Sequence, residues 1–287
     1  MRPEDMTPVQ RIERSIQKKY LKTIWNPFVG AIQQYQLIQS GDRIAACVSG
    51  GKDSMLLAKL LQMLQRHSDV PFELKMICMD PGYRPENRQK IEKNAALLDL
   101  PLTIFSSEIF TVVQKVDGSP CYLCARMRRG HLYKKAQELG CNKIALAHHF
   151  SDVVETSLMG MLYGAQIQTM PPKLHSQNFV GMELIRPLYC VHEDDVRAWM
   201  RSHQLEFIQC GCPLTENCPE CSPSGESEDE TGGSKRQEVK RLIRQLKRNH
   251  PNVEKCIFQS MHNVRLDTVL GYAYRGEKHS FLDDYDA

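Results

Sequence analysis

The stretch IAACVSGGKDSMLLAKLLQML, residues 44–64, joins a predicted strand to a predicted helix through two glycines. The apolar run 44–48 is typical of a buried parallel strand, and the apolar residues between 55 and 64 recur at helical spacing. The turn between them consists of Ser49, Gly50, Gly51, Lys52, Asp53 and Ser54. Glycines let a backbone approach a ligand closely, and the N–H groups at a helix start favour an anion. The sequence therefore predicts a phosphate site in this turn.

The spacing of these glycines does not fit the two commonest phosphate loops. The dinucleotide fingerprint requires G-x-G-x-x-G, and the Walker loop requires four residues between its glycines before Lys and Ser or Thr. Residues 49–54 instead resemble the PP-loop of the ATP pyrophosphatases, which split ATP between its α- and β-phosphates. That resemblance implies ATP as the ligand, held by the residues of the turn.

Composition favours a globular protein without a membrane segment. The chain has 287 residues, a net charge of +3 and eleven cysteines. No apolar run reaches the roughly 18 residues of a spanning helix, and residues 1–10 lack an apolar signal core. We therefore expect a cytoplasmic protein that makes no membrane contact. Because cytosolic thiols stay reduced, the cysteines are interpreted as buried thiols, metal ligands or redox groups.

Strand and helix patterns alternate along the chain. Further strands are predicted at 72–79, 102–105, 143–147 and 206–209, helices at 86–99, 152–162 and 193–202, and a small hairpin within 163–190. This order predicts an α/β fold with a doubly wound, mostly parallel sheet and helices on both faces. We expect four segments: an N-terminal helical extension (1–40), the nucleotide-binding domain (41–221), a disordered acidic linker (222–234) and a C-terminal basic helical segment (235–287).

Several cysteines have the spacing of metal or redox ligands. Cys121 and Cys124 open a basic helix, where the positive end of the helix dipole lowers the pKa of a thiol. Half of a zinc site, a thioredoxin-like pair and part of an iron–sulfur site all fit this motif. More cysteines follow the last predicted strand, at Cys210, Cys212, Cys218 and Cys221. Two interpretations of these cysteines stay open, singly or together: one of them is the third ligand of an iron site, or they form a separate zinc site.

Polar residues follow the predicted strand 143–147, among them His148, His149 and Asp152. Because the carboxyl ends of parallel strands meet at one edge of a sheet, these residues should face the same crevice as the glycine turn. Asp152 is therefore predicted to act on the nucleotide or the substrate. At least one of the two histidines is expected to be an ordinary buried side chain.

Two predicted helices carry a strongly basic face, at residues 126–135 and 235–248. In the second, apolar residues recur at helical spacing, so that one face packs while the other is cationic. The presence of more than one basic helix favours contact with nucleic-acid phosphates over a merely solvated face. In the second helix we expect that contact to involve Lys240, Arg244 and Lys247.

Together these segments resemble the tRNA 2-thiocytidine biosynthesis proteins, a branch of the PP-loop tRNA thiolases. The resemblance covers most of residues 40–210 in family order and spacing, and its most selective part is CYLCARMRRG, residues 121–130. It implies an adenine nucleotide α-hydrolase-like fold that uses ATP and Mg²⁺. By this resemblance, the glycine turn and His148 bind the nucleotide, Asp53 and Ser54 hold its pyrophosphate end and magnesium, and Asp53 and Asp152 are catalytic.

The same resemblance implies sulfur transfer to a tRNA base, with a cytidine of the anticodon loop as the favoured target. The O2 atom of the base attacks the α-phosphate, pyrophosphate leaves, and sulfur then replaces the adenylated oxygen. Relatives hold a [4Fe–4S] cluster with three cysteines, which here implies Cys121, Cys124 and either Cys212, the preferred residue, or Cys210. The sulfur donor, a cysteine desulfurase or sulfide, stays open, and so does the oligomeric state, for which a homodimer is one option.

Two features depart from the family pattern. Ser151 stands where the family has the first of two aspartates, and the pair Cys218 and Cys221 has no clear counterpart. One alternative function is a PP-loop enzyme acting on another tRNA base, of the 2-thiouridine or lysidine type. Another is a nucleotide- and RNA-binding iron–sulfur module without turnover. Pyrophosphate release that depends on RNA distinguishes an enzyme from a binder.

Overall fold

A six-stranded sheet forms the centre of the computed structural model, which describes residues 5–113, 120–208, 234–283 and 285. Its strands are β1 (Arg43–Cys47), β2 (Glu73–Asp80), β3 (Leu102–Ser106), β4 (Lys143–Ala145), β5 (Lys173–His175) and β6 (Glu183–Ile185). They lie in the order β3-β2-β1-β4-β6-β5, and every neighbouring pair is parallel except β5 with β6. The predicted mostly parallel sheet is confirmed.

The direction in which strands are added to the sheet changes at β1. The chain runs outward from β1 to β2 and β3, and then returns to place β4 on the other side of β1. Ala46 of β1 accordingly pairs with Met76 of β2 and with Ala145 of β4. Such a switch point opens a crevice at the carboxyl ends of the strands, where ligands of this class of fold bind. The glycine turn after β1 and the polar residues after β4 therefore reach the same edge.

Ten α-helices occur in the described ranges: α1 (Pro8–Gln17), α2 (Asn26–Gln34), α3 (Lys52–His67), α4 (Pro85–Leu97), α5 (Ile109–Val113), α6 (Pro120–Glu138), α7 (Phe150–Gly164), α8 (Glu193–Ser202), α9 (Lys235–Asn249) and α10 (Val253–Ser260). A π-helical turn, Leu21–Trp25, joins α1 to α2. Within those ranges, none of the helices combines the length and apolar character needed to cross a bilayer.

The two faces of β1 are covered by different helices. Ile44 belongs to the core cluster that contains Leu57 of α3, whereas Ala45 packs in a second cluster with Tyr133 of α6. Alternate side chains of a strand point to opposite faces of the sheet. Helices α3 and α6 therefore lie on opposite sides, as the doubly wound arrangement predicts.

The N-terminal helices are part of the main core. Ile16 and Phe28 are fully buried and share a cluster with Leu57. Lys59 of α3 is also fully buried, and its Nζ lies 2.6 Å from Glu13 Oε1 of α1. Within the described part of the predicted N-terminal segment, helices cover Pro8–Gln17, Leu21–Trp25 and Asn26–Gln34. This packing ties them to the helix that begins at the glycine turn.

The predicted strand at 206–209 is wrong. Residues 206–208 form no strand, and residue 209 lies outside the described ranges. Phe207 stacks on Trp199 with ring centroids 6.3 Å apart, and Ile208 packs against Gly50, so both side chains are buried without strand pairing. The fifth and sixth strands of the sheet come from the β5–β6 hairpin, which lies within the predicted hairpin region 163–190.

The described part of the C-terminal segment is α-helical in its first half. Helices α9 and α10 lie where the sequence predicts a basic helical segment, but a two-stranded hairpin, β7 (Gly271–Tyr274) and β8 (Glu277–Ser280), follows them. Gly276 has a φ of +91° in the connecting turn, which favours glycine. Of the predicted acidic linker 222–234, only Ser234 is described, and Cys210, Cys212, Cys218 and Cys221 lie outside the described ranges.

Candidate nucleotide and catalytic site

The glycine turn is held in shape by its backbone conformation and by two serines. Gly50 has a φ of +86°, and a Cβ at this position would lie 2.8 Å from the side chain of Ile208. The backbone N–H of Ser49 donates to Ser54 Oγ at 3.1 Å, and the Ser54 hydroxyl donates to the carbonyl of Gly51 at 2.9 Å. Helix α3 begins directly after this turn, so the unpaired N–H groups of its first residues lie beside the turn and suit a phosphate.

The first two side chains of α3 carry opposite charges. Lys52 Nζ lies 2.9 Å from Asp53 Oδ2 and 3.0 Å from Glu193 Oε1 of α8. Burial alone would lower the pKa of Lys52, but these two carboxylates outweigh burial and raise it, so the ammonium stays charged. The second oxygen, Asp53 Oδ1, is buried and makes no hydrogen bond to the described residues. A buried carboxylate oxygen of this kind suits a Mg²⁺ ion, which prefers oxygen ligands.

His149 connects the two predicted catalytic aspartates. The backbone N–H of Asp152 donates to His149 Nδ1 at 3.3 Å, and the backbone N–H of His149 donates to Asp152 Oδ2 at 3.0 Å, which together form a capping box at the start of α7. Because Nδ1 accepts a hydrogen bond, the ring N–H that remains to donate is at Nε2. That nitrogen lies 3.9 Å from Asp53 Oδ1. The structure therefore brings Asp53 and Asp152 together across the ends of β1 and β4, as the sequence predicts.

His148 has a different environment from its neighbour. Burial and then the positive charge of Arg186 lower the pKa of His148 to about 4, so its ring is neutral at physiological pH. Its Nδ1 is buried and makes no hydrogen bond within the described residues. The contact with Asp53 is made by His149, a role that the sequence did not single out. The capping-box position of His149 immediately before α7 was the one available signal for it.

Helix α9 contributes two cations to the site. The sequence predicts that the basic face of this helix contacts RNA. Arg236 Nη1 lies 3.1 Å from Asp152 Oδ1, and Lys240 Nζ lies 3.5 Å from Glu193 Oε2. Burial alone would raise the pKa of Glu193, but Lys52 and Lys240 outweigh it and lower the pKa strongly. Glu193, Arg236 and Lys240 were not predicted as site residues, because their contacts join segments that lie far apart in the sequence.

The cysteine-bearing helix α6 lies beside the same edge of the sheet. Its first turn contains Cys121 and Cys124, and Cys124 packs near Met79, close to the end of β2. One turn further on, Arg128 Nη2 donates to the Tyr83 hydroxyl at 2.9 Å, and that hydroxyl donates to the Ser49 carbonyl at 3.3 Å. A single tyrosine thus links α6 to the glycine turn.

Two cysteines separated by two residues in a first helical turn match the donor chemistry of an iron–sulfur ligand pair. The described residues contain no group of three or more His, Cys, Asp or Glu side chains arranged to bind a metal. The side chain of Cys121 and all of Cys210 and Cys212 fall outside what the structure describes, so the predicted ligand set is described only at Cys124.

The sheet order, the glycine turn and the aspartates beside it define a PP-loop nucleotide-binding domain. A family profile described as a PP-loop domain matches residues 13–210. The tRNA-cytidine(32) 2-sulfurtransferase of Syntrophotalea carbinolica is 36% identical over 239 residues, which cover 82% of this chain and 86% of that protein. The enzyme of the same name from Nitrosomonas eutropha is 35% identical over 243 residues, covering 82% and 71% of the two chains.

Among solved structures, the U34-tRNA thiolase NcsA from Methanococcus maripaludis with its [4Fe–4S] cluster superposes with a TM-score of 0.62. The match covers 86% of this chain and 80% of that one at 20% sequence identity, so it bears on the fold alone. The chain belongs to the PP-loop family, in the branch that contains the tRNA-cytidine(32) 2-sulfurtransferases. The resemblance seen in the sequence is confirmed.

Proposed function

We propose that the protein is an ATP-dependent tRNA sulfurtransferase that replaces the O2 atom of a cytidine with sulfur. The observation that carries this proposal is the convergence of Asp53, His149 and Asp152 beside the glycine turn. A phosphate site next to two carboxylates suits an enzyme that activates a second substrate with ATP. The names of the similar relatives support tRNA as that substrate and cytidine as the base.

In the activation step, O2 of the cytidine attacks the α-phosphate of ATP. The bond between the α-phosphorus and the bridging oxygen breaks, and pyrophosphate leaves with the electron pair. The N–H groups at the start of α3 and the charged Lys52 stabilise the growing negative charge on the phosphates. In the second step a sulfur nucleophile adds to C2, and AMP leaves with the oxygen that belonged to the base.

Each of the two aspartates has a proposed role. Asp53, with its unpartnered Oδ1, and Ser54 hold the pyrophosphate end of ATP and a Mg²⁺ ion. Asp152 acts on the base or on the sulfur nucleophile. Burial raises the pKa of Asp152, but the His149 ring and its backbone N–H, together with Arg236, outweigh burial and lower it. Asp152 is therefore an ionised carboxylate at neutral pH, suited to accept a proton or to orient a hydrogen-bond donor.

Cys121 and Cys124, with Cys212 or Cys210, are proposed to hold a [4Fe–4S] cluster. When bound, such a cluster would supply a coordination position from which sulfur reaches the activated base. The position of Ile208 supports the proposal, since this residue packs on Gly50 and lies only a few positions before both candidate ligands in the chain. A cysteine desulfurase or free sulfide is the proposed sulfur donor, the cytoplasm the proposed location, and a homodimer a proposed assembly.

The proposal is tested by pyrophosphate release from ATP in the presence of unmodified tRNA, with the nucleosides of the tRNA analysed by mass spectrometry. The expected result is pyrophosphate release that requires tRNA, together with 2-thiocytidine in the product. Asp53→Ala should retain the fold and the cluster and lose both products, whereas Asp283→Ala, on the exposed C-terminal segment, should behave as the unchanged protein does. Pyrophosphate release that yields a different modified base would favour another PP-loop activity. Binding without any release would identify a non-catalytic module.

A further inference from the structure

Helix α9 packs against α7, the helix that carries Asp152, through a buried apolar cluster. Ser234 caps α9 in a capping box with Gln237, in which the backbone N–H of each residue donates to the side chain of the other. Val239 is fully buried, and Ile243 is 6% exposed in a cluster with Val154 of α7. The apolar stripe of α9 thus fixes the rotation of the helix about its own axis, which decides where its charged side chains point.

That rotation places a pair of cations over a pair of carboxylates. Arg236 and Lys240 are one turn apart on α9, and Asp152 and Glu155 are one turn apart on α7, so each pair lies on one face of its helix. Arg236 Nη1 lies 3.1 Å from Asp152 Oδ1 and 3.5 Å from Glu155 Oε2, while Lys240 Nζ lies 3.5 Å from Glu155 Oε1. Arg236 alone of the two cations touches Asp152 in the described contacts.

The Asp152 carboxylate is consequently held from two sides. Its Oδ2 accepts the backbone N–H of His149, and its Oδ1 accepts a charge-assisted hydrogen bond from Arg236. Without Arg236, the carboxylate would be held only by the hydrogen bond to Oδ2. It could then turn about its Cβ–Cγ bond, away from its position next to His149. Arg236 Nη1 lies 3.1 Å from Oδ1, and a hydrogen bond to an ionised group is stronger than a neutral one, so Arg236 restrains the carboxylate from its second side.

We infer that Arg236 is a positioning residue for the reaction: it fixes the orientation of the Asp152 carboxylate, and the C-terminal helix α9 thereby completes the active site. This inference rests on the proposed function, because it needs Asp152 to act on the reacting groups. Arg236 itself acts through Asp152 and need not touch a substrate. The positive charge it brings also favours the ionised form of Asp152.

A double-mutant cycle separates positioning from a merely structural role, with the rate of AMP formation measured in a single turnover at saturating ATP and tRNA. Arg236→Gln should lower the rate by about 10–100-fold, the loss typical when the hydrogen-bond partner that orients a metal-ligating side chain is removed. Arg236→Lys should recover part of that loss, because the ammonium restores the charge without the planar geometry. Lys255→Gln, an exposed charge on the neighbouring helix α10, should leave the rate unchanged.

The decisive comparison uses the Asp152→Asn background. If Arg236 acts through Asp152, then adding Arg236→Gln to Asp152→Asn should change the rate by less than about twofold, because residues that act as a unit are not additive. A double mutant whose loss equals the product of the two single losses would overturn the inference and leave the proposed function standing. If Asp152→Asn alone kept the full rate, the catalytic assignment of Asp152 would fail, and the inference with it. Should Arg236→Gln not fold, judged by its thermal melting, Arg236→Lys takes its place in the cycle.

Discussion

Helices α6 and α9 are both strongly basic, and the structure uses their charges in opposite ways. On α9, Arg236 and Lys240 are turned toward the carboxylates of the site. On α6, Arg126, Arg129 and Lys134 are exposed. The difference lies in the neighbouring elements, because α9 packs on the acidic start of α7, whereas α6 packs its apolar residues on the sheet. A count of Lys and Arg gives the charge of a helix, but the packing decides which way that charge faces.

Part of the basic face that the sequence attributes to tRNA is paired with carboxylates of the protein. Lys240 pairs with Glu155 and Glu193, and Lys247 lies 2.6 Å from Glu254 Oε2. The prediction that these lysines contact tRNA phosphates stays a prediction, and it now competes with a role inside the protein. Substitutions of the exposed cations on α6 therefore test RNA binding more directly.

The largest effect is expected at the first turn of α6. Cys121→Ala or Cys124→Ala should remove the cluster and thiolation together, as should one of Cys212→Ala and Cys210→Ala, because three thiolates leave no spare ligand. Cys218→Ala and Cys221→Ala are the matched controls and should keep both. The unchanged protein, prepared without oxygen, should contain about four irons per chain. Zinc bound by four cysteines, Cys218 and Cys221 among them, would contradict this ligand assignment.

A smaller effect is expected from the exposed cations of α6. Changing Arg126, Arg129 and Lys134 to Gln should weaken tRNA binding and flatten its salt dependence, with log K losing about 0.7–0.9 of slope per phosphate contact removed. At saturating tRNA the rate of AMP formation should stay close to that of the unchanged protein. Fluorescence titrations at several salt concentrations measure the slope.

The corresponding triple change on α9, Lys240, Arg244 and Lys247 to Gln, sharpens the contrast. It should lower the rate even at saturating tRNA, because Lys240 pairs with carboxylates of the site. If this triple variant changed only the salt slope, and the α6 variant changed only the rate, the two helices would have been assigned the wrong way round.

The smallest expected effect is on the pH dependence of stability and arises from His148, which is buried among charged side chains that include Arg186 and Asp152. Its pKa lies at about 4 in the folded protein against 6.5 ordinarily, so between those values the unfolded chain binds more protons. The contribution of neutral His148 to the free energy of unfolding is complete above pH 6.5. It decreases by roughly 1–3 kcal/mol as the pH falls toward 4. Urea unfolding of His148→Gln at pH 7.5 and about 5 should show a weaker pH dependence than that of the unchanged protein.

The matched control for this measurement is His131→Gln, an exposed histidine on α6. Its pH dependence of unfolding should follow that of the unchanged protein. An equal change in both variants would mean that the acid sensitivity arises from groups other than His148.

The sequence predicts the parts of the site that follow from local pattern. The glycine turn is encoded within a single strand–turn–helix unit, and Asp152 is placed by the rule that parallel strands end at one edge. The direction of Arg236 depends instead on the buried pair Val239 and Ile243, which packs against a helix about 80 residues earlier in the chain. No periodicity in the sequence reveals that partner.

The incorrect strand prediction and the missed role of His149 have the same origin. Residues 206–208 have the apolar character of a strand, but stacking on Trp199 and packing on Gly50 bury them without one. Likewise, the sequence does not assign the contact with Asp53 to His149 rather than to His148. Only the capping geometry at the start of α7 shows that His149 joins the two aspartates. Long-range packing, which short patterns do not encode, decides both cases.

In the proposed reaction ATP activates the base itself, so the oxygen that the base loses should leave in AMP. Isotopic labelling of that oxygen tests this step directly. Unmodified tRNA that carries oxygen-18 at O2 of cytidine is incubated with the cluster-containing protein, ATP and sulfide, and the released AMP is analysed by mass spectrometry. If the base oxygen is activated, one oxygen-18 atom should appear in AMP for each 2-thiocytidine formed. Thiolation that leaves AMP unlabelled, with the label in water or pyrophosphate, would contradict this step.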